Sequence, residues 1–165
     1  MTVPGADEVD ELVLAWRRER DDLDLAPVEV FSRISRLSRL LDLARRDAFT
    51  AHTIEPWEFD VLAALRRAGR PYQLSPGQLL RETMVTSGTM TNRIDRLTER
   101  GLVERSPDPN DRRGVLVCLT TAGKRAVDGA FETLLASERE LLSELAADER
   151  KELADLLKRL MQPLR

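Results

Sequence analysis

Apolar positions recur at helical spacing in blocks at both ends of the chain. In residues 7–20, Val9, Leu12, Val13 and Trp16 stand at i, i+3, i+4 and i+7, which predicts one buried helix face. An acidic break at residues 21–24 follows. Pro27 suits the first turn of a longer helix with Val30, Phe31, Ile34, Leu37 and Leu41 on one side and Arg33, Arg36 and Arg39 opposite. Pro56 starts a third helix through Phe59, Leu62 and Leu65, ended by Gly69-Arg70-Pro71. Beyond residue 121 the helical period returns. Phe131, Leu134, Leu135, Leu141, Leu142 and Leu145 form one stripe, and Leu153, Leu156, Leu157 and Leu160 form another.

The middle of the chain reads differently. Ser75 before Pro76 is an N-cap serine with proline at the first helical position, and the helix it opens ends near residues 81–84. After a turn at residues 84–86 a second helix runs over residues 87–100 and closes at Gly101. Residues 102–105 and 115–119 are β-rich, and residues 107–114 between them hold only turn-forming and charged side chains. Helix, short turn, helix, then hairpin is the winged helix-turn-helix order. The expected fold is therefore mainly α with a small β-hairpin wing. Residues 1–53 are expected to form N-terminal helices, 54–122 a DNA-binding lobe, and 123–165 C-terminal helices. The leucine stripes at both ends exceed what so small a lobe can cover, which predicts a homodimer built from both termini.

Charge sharpens this picture. The chain of 165 residues has a net charge of −3, which alone argues against a nucleic-acid partner. The charge is segregated, however: residues 66–125 hold 12 basic and 6 acidic side chains, while residues 1–65 hold 8 and 14. A basic middle between acidic flanks suits a DNA-contacting module with attached helices. With no apolar run long enough to span a bilayer and no signal-peptide pattern in the acidic N-terminal stretch, no membrane association and a cytoplasmic location are expected. His52 and Cys118 are the only residues of their kinds, so no metal site, disulfide or nucleophile–base pair is expected. No cofactor fingerprint is present either, and an enzyme is not expected.

The chemistry lies on the helix at residues 87–100. Met90, Ile94 and Leu97 face inward at i, i+4 and i+7. Gly88, Asn92, Asp95 and Glu99 then point outward, with Ser87, Thr89, Thr91 and Arg96 on the flanks. A small, hydroxylic and amide-bearing surface can enter a major groove, bind phosphates and read base edges through Asn92. Arg112 and Arg113 at the hairpin tip can reach a narrow minor groove. A protein-binding adaptor with the same helices is the rival reading, and a shallow salt dependence would mark it.

Several stretches resemble the MarR family of bacterial regulators. They are Leu74-Ser75-Pro76-Gly77-Gln78-Leu79, residues 86–97, Gly101-Leu102-Val103, residues 108–114, and Leu119-Thr120-Thr121-Ala122-Gly123. The resemblance implies homodimers on pseudo-palindromic double-stranded DNA, usually as repressors, released by small anionic aromatic effectors. Helix geometry and the resemblance together give a DNA-contacting set of Ser75, Ser87, Gly88, Thr89, Thr91, Asn92, Arg96, Arg112 and Arg113. The N-terminal helix with Trp16 resembles the urate-responsive branch, which implies ligand-binding roles for Trp16, Asp60, Arg93 and Arg105. Gln78 stands where that branch carries a second acid. Asp60 is expected to hold Arg93 when the site is empty, and Arg113 to pair with Asp95.

Overall fold

The computed structural model describes residues 5–109 and 111–162, with the side chains of Arg112 and Arg113 outside the described set. In chain order the elements are α1 (Glu8–Glu19), α2 (Ala26–Thr50), α3 (Pro56–Arg67), β1 (Gln73–Leu74), α4 (Pro76–Thr83), α5 (Ser87–Glu99), β2 (Val103–Asp108), β3 (Asp111–Leu119), α6 (Thr121–Leu141) and α7 (Ala147–Met161). They are grouped in two compact units, residues 1–43 and 44–165.

The first unit is small, with a cluster of buried apolar residues and exposed ion pairs around it. Asp7 caps α1 by accepting the backbone N–H groups of Val9 and Asp10, and the Asp10 carboxylate accepts the Asp7 N–H in return. Val9 and Val13 bury against Leu25, with Val28 beside them. Trp16, the fourth member of that stripe, is 49% exposed and lies outside this cluster. Arg33 of α2 bridges Asp7 at 2.8 Å and Asp10 at 2.7 Å. The Arg33 guanidinium and the backbone N–H of Asp10 hold the Asp7 carboxyl at about 2, well below its usual 3.8.

The second unit has the larger core. Phe49, Val61, Leu62, Leu65, Leu79, Met90, Ile94, Leu97, Val103, Val117 and Val127 are buried together, and the Phe49 and Phe59 rings stack with centroids 4.3 Å apart. The sheet is three-stranded, in the order β1-β3-β2, antiparallel throughout. The pattern of the sequence gives no sign of β1, because two residues are too few to show an alternation. Gln73 pairs with Cys118 and Leu74 with Val117, which makes β3 the central strand. The hairpin also runs further toward its tip than expected. Pro107 sits opposite Val115 inside β2, which it can do because β2 is an edge strand with no further partner for the missing N–H.

Two close approaches fix the wing's ends. At Gly114 a Cβ would lie 2.8 Å from the Asp108 Cβ and 3.0 Å from that of Asp111. At Gly123 a Cβ would lie 2.0 Å from the Leu102 carbonyl oxygen, so only glycine lets the first turn of α6 rest on the start of the hairpin. Thr120 completes that junction, donating its hydroxyl to the Leu102 carbonyl and accepting the Gly123 N–H. By contrast, α7 has no buried residue at all. Its Leu153, Leu156, Leu157 and Leu160 stay exposed, as do Phe131, Leu141 and Leu142 before it.

Candidate nucleic-acid interface

Local capping chemistry sets the helix pair. Ser75 and Gln78 form a capping box on α4, in which the Ser75 hydroxyl accepts the Gln78 N–H and the Gln78 side chain accepts the Ser75 N–H. Ser75, read from sequence both as the cap of α4 and as a DNA contact, is half-buried in that cap with Gln78 as its partner. Met84 ends α4 in the left-handed conformation with φ 51°, and Thr86 then caps α5. Within α5 the inner row of Met90, Ile94 and Leu97 is buried. Ser87, Gly88, Thr89, Thr91, Asn92 and Arg96 are all exposed. The Thr89 and Thr86 hydroxyls lie 2.9 Å apart, and Thr91 donates to the Ser87 carbonyl at 3.1 Å. Those hydroxyls stiffen the first turn. The amide of Asn92 makes no side-chain hydrogen bond among the described residues, so its donors and acceptor face solvent.

Three ion pairs tie α5 and its C-cap to the rest of the lobe. Arg96 lies 3.3 Å from Glu55, the N-cap position of α3. Its guanidinium also lies 4.8 Å from the centre of the Trp57 ring, and that of Arg93 lies 5.5 Å from the same ring. Asp95, on the outer side of α5, is held by Arg105 of β2 at 2.5 Å. At the end of α5, Arg100 pairs with the fully buried Glu58 and donates to the Thr53 carbonyl at 2.6 Å. Arg66 and Asp128 join α3 to α6 at 2.8 Å.

One expectation about the ligand residues needs correction. Asp60 does not hold Arg93; its carboxylate faces Arg45 at 3.6 Å. Arg93, half-buried on α5, lies against Trp57 instead, where a guanidinium can stack by its face and keep its edge donors in water. The described partner of Asp95 is Arg105, while the expected pairing of Asp95 with Arg113 lies outside the described residues, as does the side chain of Arg112. Arg105 is accordingly committed to an acid on the neighbouring helix. Within the lobe, the aromatic surface beside Arg93 is Trp57.

The sequence reading passed over Glu55, Trp57, Glu58 and Arg100. Glu55 and Glu58 stand three apart beside Pro56, a visible capping signal, but their arginine partners are 41 and 42 residues away. A shallow hollow of about 450 Å³ is lined by Trp57, Gly88, Thr89, Asn92, Arg93 and Arg96. Cys118 is half-buried in the central strand, with Ser106 Oγ at 3.3 Å and Gln73 Oε1 at 3.6 Å. Among the described residues, no helix is long and apolar enough to cross a membrane.

Residues 52–114 match the sequence profile of the MarR family. The HTH-type transcriptional regulator PecS of Dickeya dadantii is 39% identical over 157 residues, covering 95% of each chain. The HTH-type transcriptional repressor NicR of Pseudomonas putida is 30% identical, covering 84% of this chain and 89% of its own. A crystal structure of mutant E. coli MarR with operator DNA superposes with a TM-score of 0.66 at 29% identity, covering 94% of this chain and 99% of that one. With its capped helix pair, three-stranded wing and these relatives, the chain belongs to the MarR family and is a DNA-binding transcriptional regulator, not an enzyme.

Proposed function

We propose that the protein is a cytoplasmic repressor that binds a pseudo-palindromic duplex operator as a homodimer and leaves it when a small anionic aromatic ligand binds. The observation that carries the DNA-reading part is the division of α5. Its inner row is fully buried, and its outer N-terminal face is small, polar and exposed. Asn92 would read base edges, and Ser87, Gly88, Thr89, Thr91 and Arg96 would approach phosphates. The wing at Arg112 and Arg113 would reach the minor groove. The repressor reading is supported by the name of NicR, and the operator reading by the MarR complex. The exposed leucines of α6 and α7 support a second copy as the dimerisation partner.

Arg93 keeps the anion-holding role in the ligand reading. Among the described residues it pairs with no carboxylate, and Trp57 offers it a flat apolar neighbour in the hollow. Asp60 and Arg105 would join only by leaving Arg45 and Asp95. Trp16 remains a further candidate. The deciding experiment selects bound duplexes from sheared genomic DNA and then titrates urate, salicylate and related acids into the complex. Recovery of a two-fold symmetric site, released by an aromatic acid in the wild type but not in Arg93→Ala, supports the whole reading. Binding without sequence preference would overturn the operator part, and normal release in Arg93→Ala would overturn the ligand part. Arg112→Ala should flatten the salt dependence of binding by roughly one unit.

A further inference from the structure

The first turn of α3 presents a carboxylate and an indole to Arg96. Glu55 Oε1 lies 3.3 Å from Arg96 Nη2, while Glu55 Oε2 accepts the Trp57 indole N–H at 2.6 Å. The Arg96 guanidinium meanwhile lies 4.8 Å from the Trp57 ring centre. One face of the cation is thus against the indole, and part of its donor edge is taken by a carboxylate that the same indole holds in place. Glu55 and Arg96 are 56% and 52% exposed, so the pair sits in water beside the Gly88, Thr89 and Asn92 surface.

We propose that Glu55 is a built-in stand-in for DNA phosphate, which a duplex must displace from Arg96, and that it thereby suppresses binding to DNA of random sequence. The inference rests on the reading of α5 as the DNA-facing helix. A carboxylate and a phosphate oxygen compete for the same planar fork of donors. Because the Trp57 N–H anchors Glu55, the carboxylate does not follow Arg96 toward the duplex. The exchange frees a counterion from DNA and leaves Glu55 to gather one from solution, so Arg96 adds little net drive to purely electrostatic binding. A correct site recovers that loss through base contacts such as those open to Asn92; a random site cannot. Trp57 acts here as a positioning residue, since it touches the arginine and the acid rather than the duplex.

The test uses the full chain, a labelled duplex of random sequence and a series of salt concentrations, with folding of each variant checked by thermal melting. Glu55→Gln should tighten binding about two- to fivefold at low salt, the range expected for one exposed ion pair. It should also steepen the slope of log affinity against log salt by roughly 0.9. Arg96→Gln should weaken binding only slightly in the wild type but cancel the gain in the Glu55→Gln background, so that the double variant matches Arg96→Gln alone. Trp57→Phe, which keeps a ring but loses the N–H, should give part of the gain, and no gain there would overturn the anchoring by the indole. Unchanged affinity in Glu55→Gln, or a gain that survives in the Arg96→Gln background, overturns the proposal. If Arg96→Gln leaves affinity and slope unchanged even in the Glu55→Gln background, where no acid offsets Arg96, it is the DNA-facing reading of α5 at Arg96 that fails. If Arg96→Gln weakens binding and Glu55→Gln does not tighten it, only the role of Glu55 fails.

Discussion

Arg100 and Glu58 have unequal access to water, and that inequality orders the cost of losing each. Glu58 is fully buried, whereas the Arg100 side chain is 38% exposed. Removing the acid lets the arginine turn to solvent; removing the arginine strands a carboxylate that has one oxygen already without a partner. Arg100→Ala should therefore destabilise the lobe by about 3 kcal/mol, and Glu58→Gln by clearly less. Urea unfolding of the two variants checks the order, and equal costs would mean that Glu58 reaches water in a way its burial does not suggest. Asn92 invites a different measurement. With its amide open to solvent, Asn92→Ala should leave stability unchanged and relax choice at particular base pairs, at a cost of roughly 1 to 3 kcal/mol there. Competition among single-base variants of a selected duplex would reveal it. At this scale the inward set of Met90, Ile94 and Leu97 was legible because helical spacing alone determines it. The partner of Arg93 was not. The carboxylate assigned to it, Asp60, is exposed on α3 and faces Arg45, while the indole that Arg93 lies against is two residues from the α3 N-cap.

Elements with strong local punctuation were readable, and those defined by pairing were not. The helices α4 and α5 have Ser75, Pro76, Thr86 and Gly101 at their ends, signals that act within a few residues. The strand β1 exists only because β3 offers its free edge to Gln73 and Leu74, a relation across more than 40 residues. The wing strands were longer than their hydrophobic alternation, since backbone pairing continues past Pro107 whatever the side chains are. The N-terminal helix α1 has a pH signature of its own. The Asp7 carboxyl is held at about 2 against a usual 3.8, first by the Arg33 side chain and then by the Asp10 N–H. A lowered value in the folded state means that its stabilisation is complete above about pH 4 and is lost as pH falls through about 2. The fluorescence of Trp16, followed in a Trp57→Phe background, should report loosening of α1 over that interval, and Asp7→Asn should remove the dependence. A profile identical in both proteins would show that the Asp7 carboxylate is not what holds α1 in place.

For the whole molecule, the apolar surface decides what state is stable. Leu153, Leu156, Leu157 and Leu160 on α7, with Phe131, Leu141 and Leu142 on α6, form more exposed apolar side chain than a soluble monomer comfortably carries. Equilibrium sedimentation at micromolar concentration should give twice the chain mass, with two α5 helices about 34 Å apart on one face of the duplex. A stable monomer would contradict this. Leu153→Asp together with Leu157→Asp should weaken pairing and lower affinity for a symmetric duplex, while a single half-site is bound as before. The leucines that would pair two chains share no residue with α5, and that separation has a genetic consequence. An allele that ruins Asn92 and Arg96 would still produce chains able to pair, and in a cell carrying both alleles most dimers would hold at least one defective reader. Such an allele should be dominant over the normal one, whereas a truncation before α6 should be recessive, and a reporter under the selected operator in merodiploid cells would tell the two inheritance patterns apart.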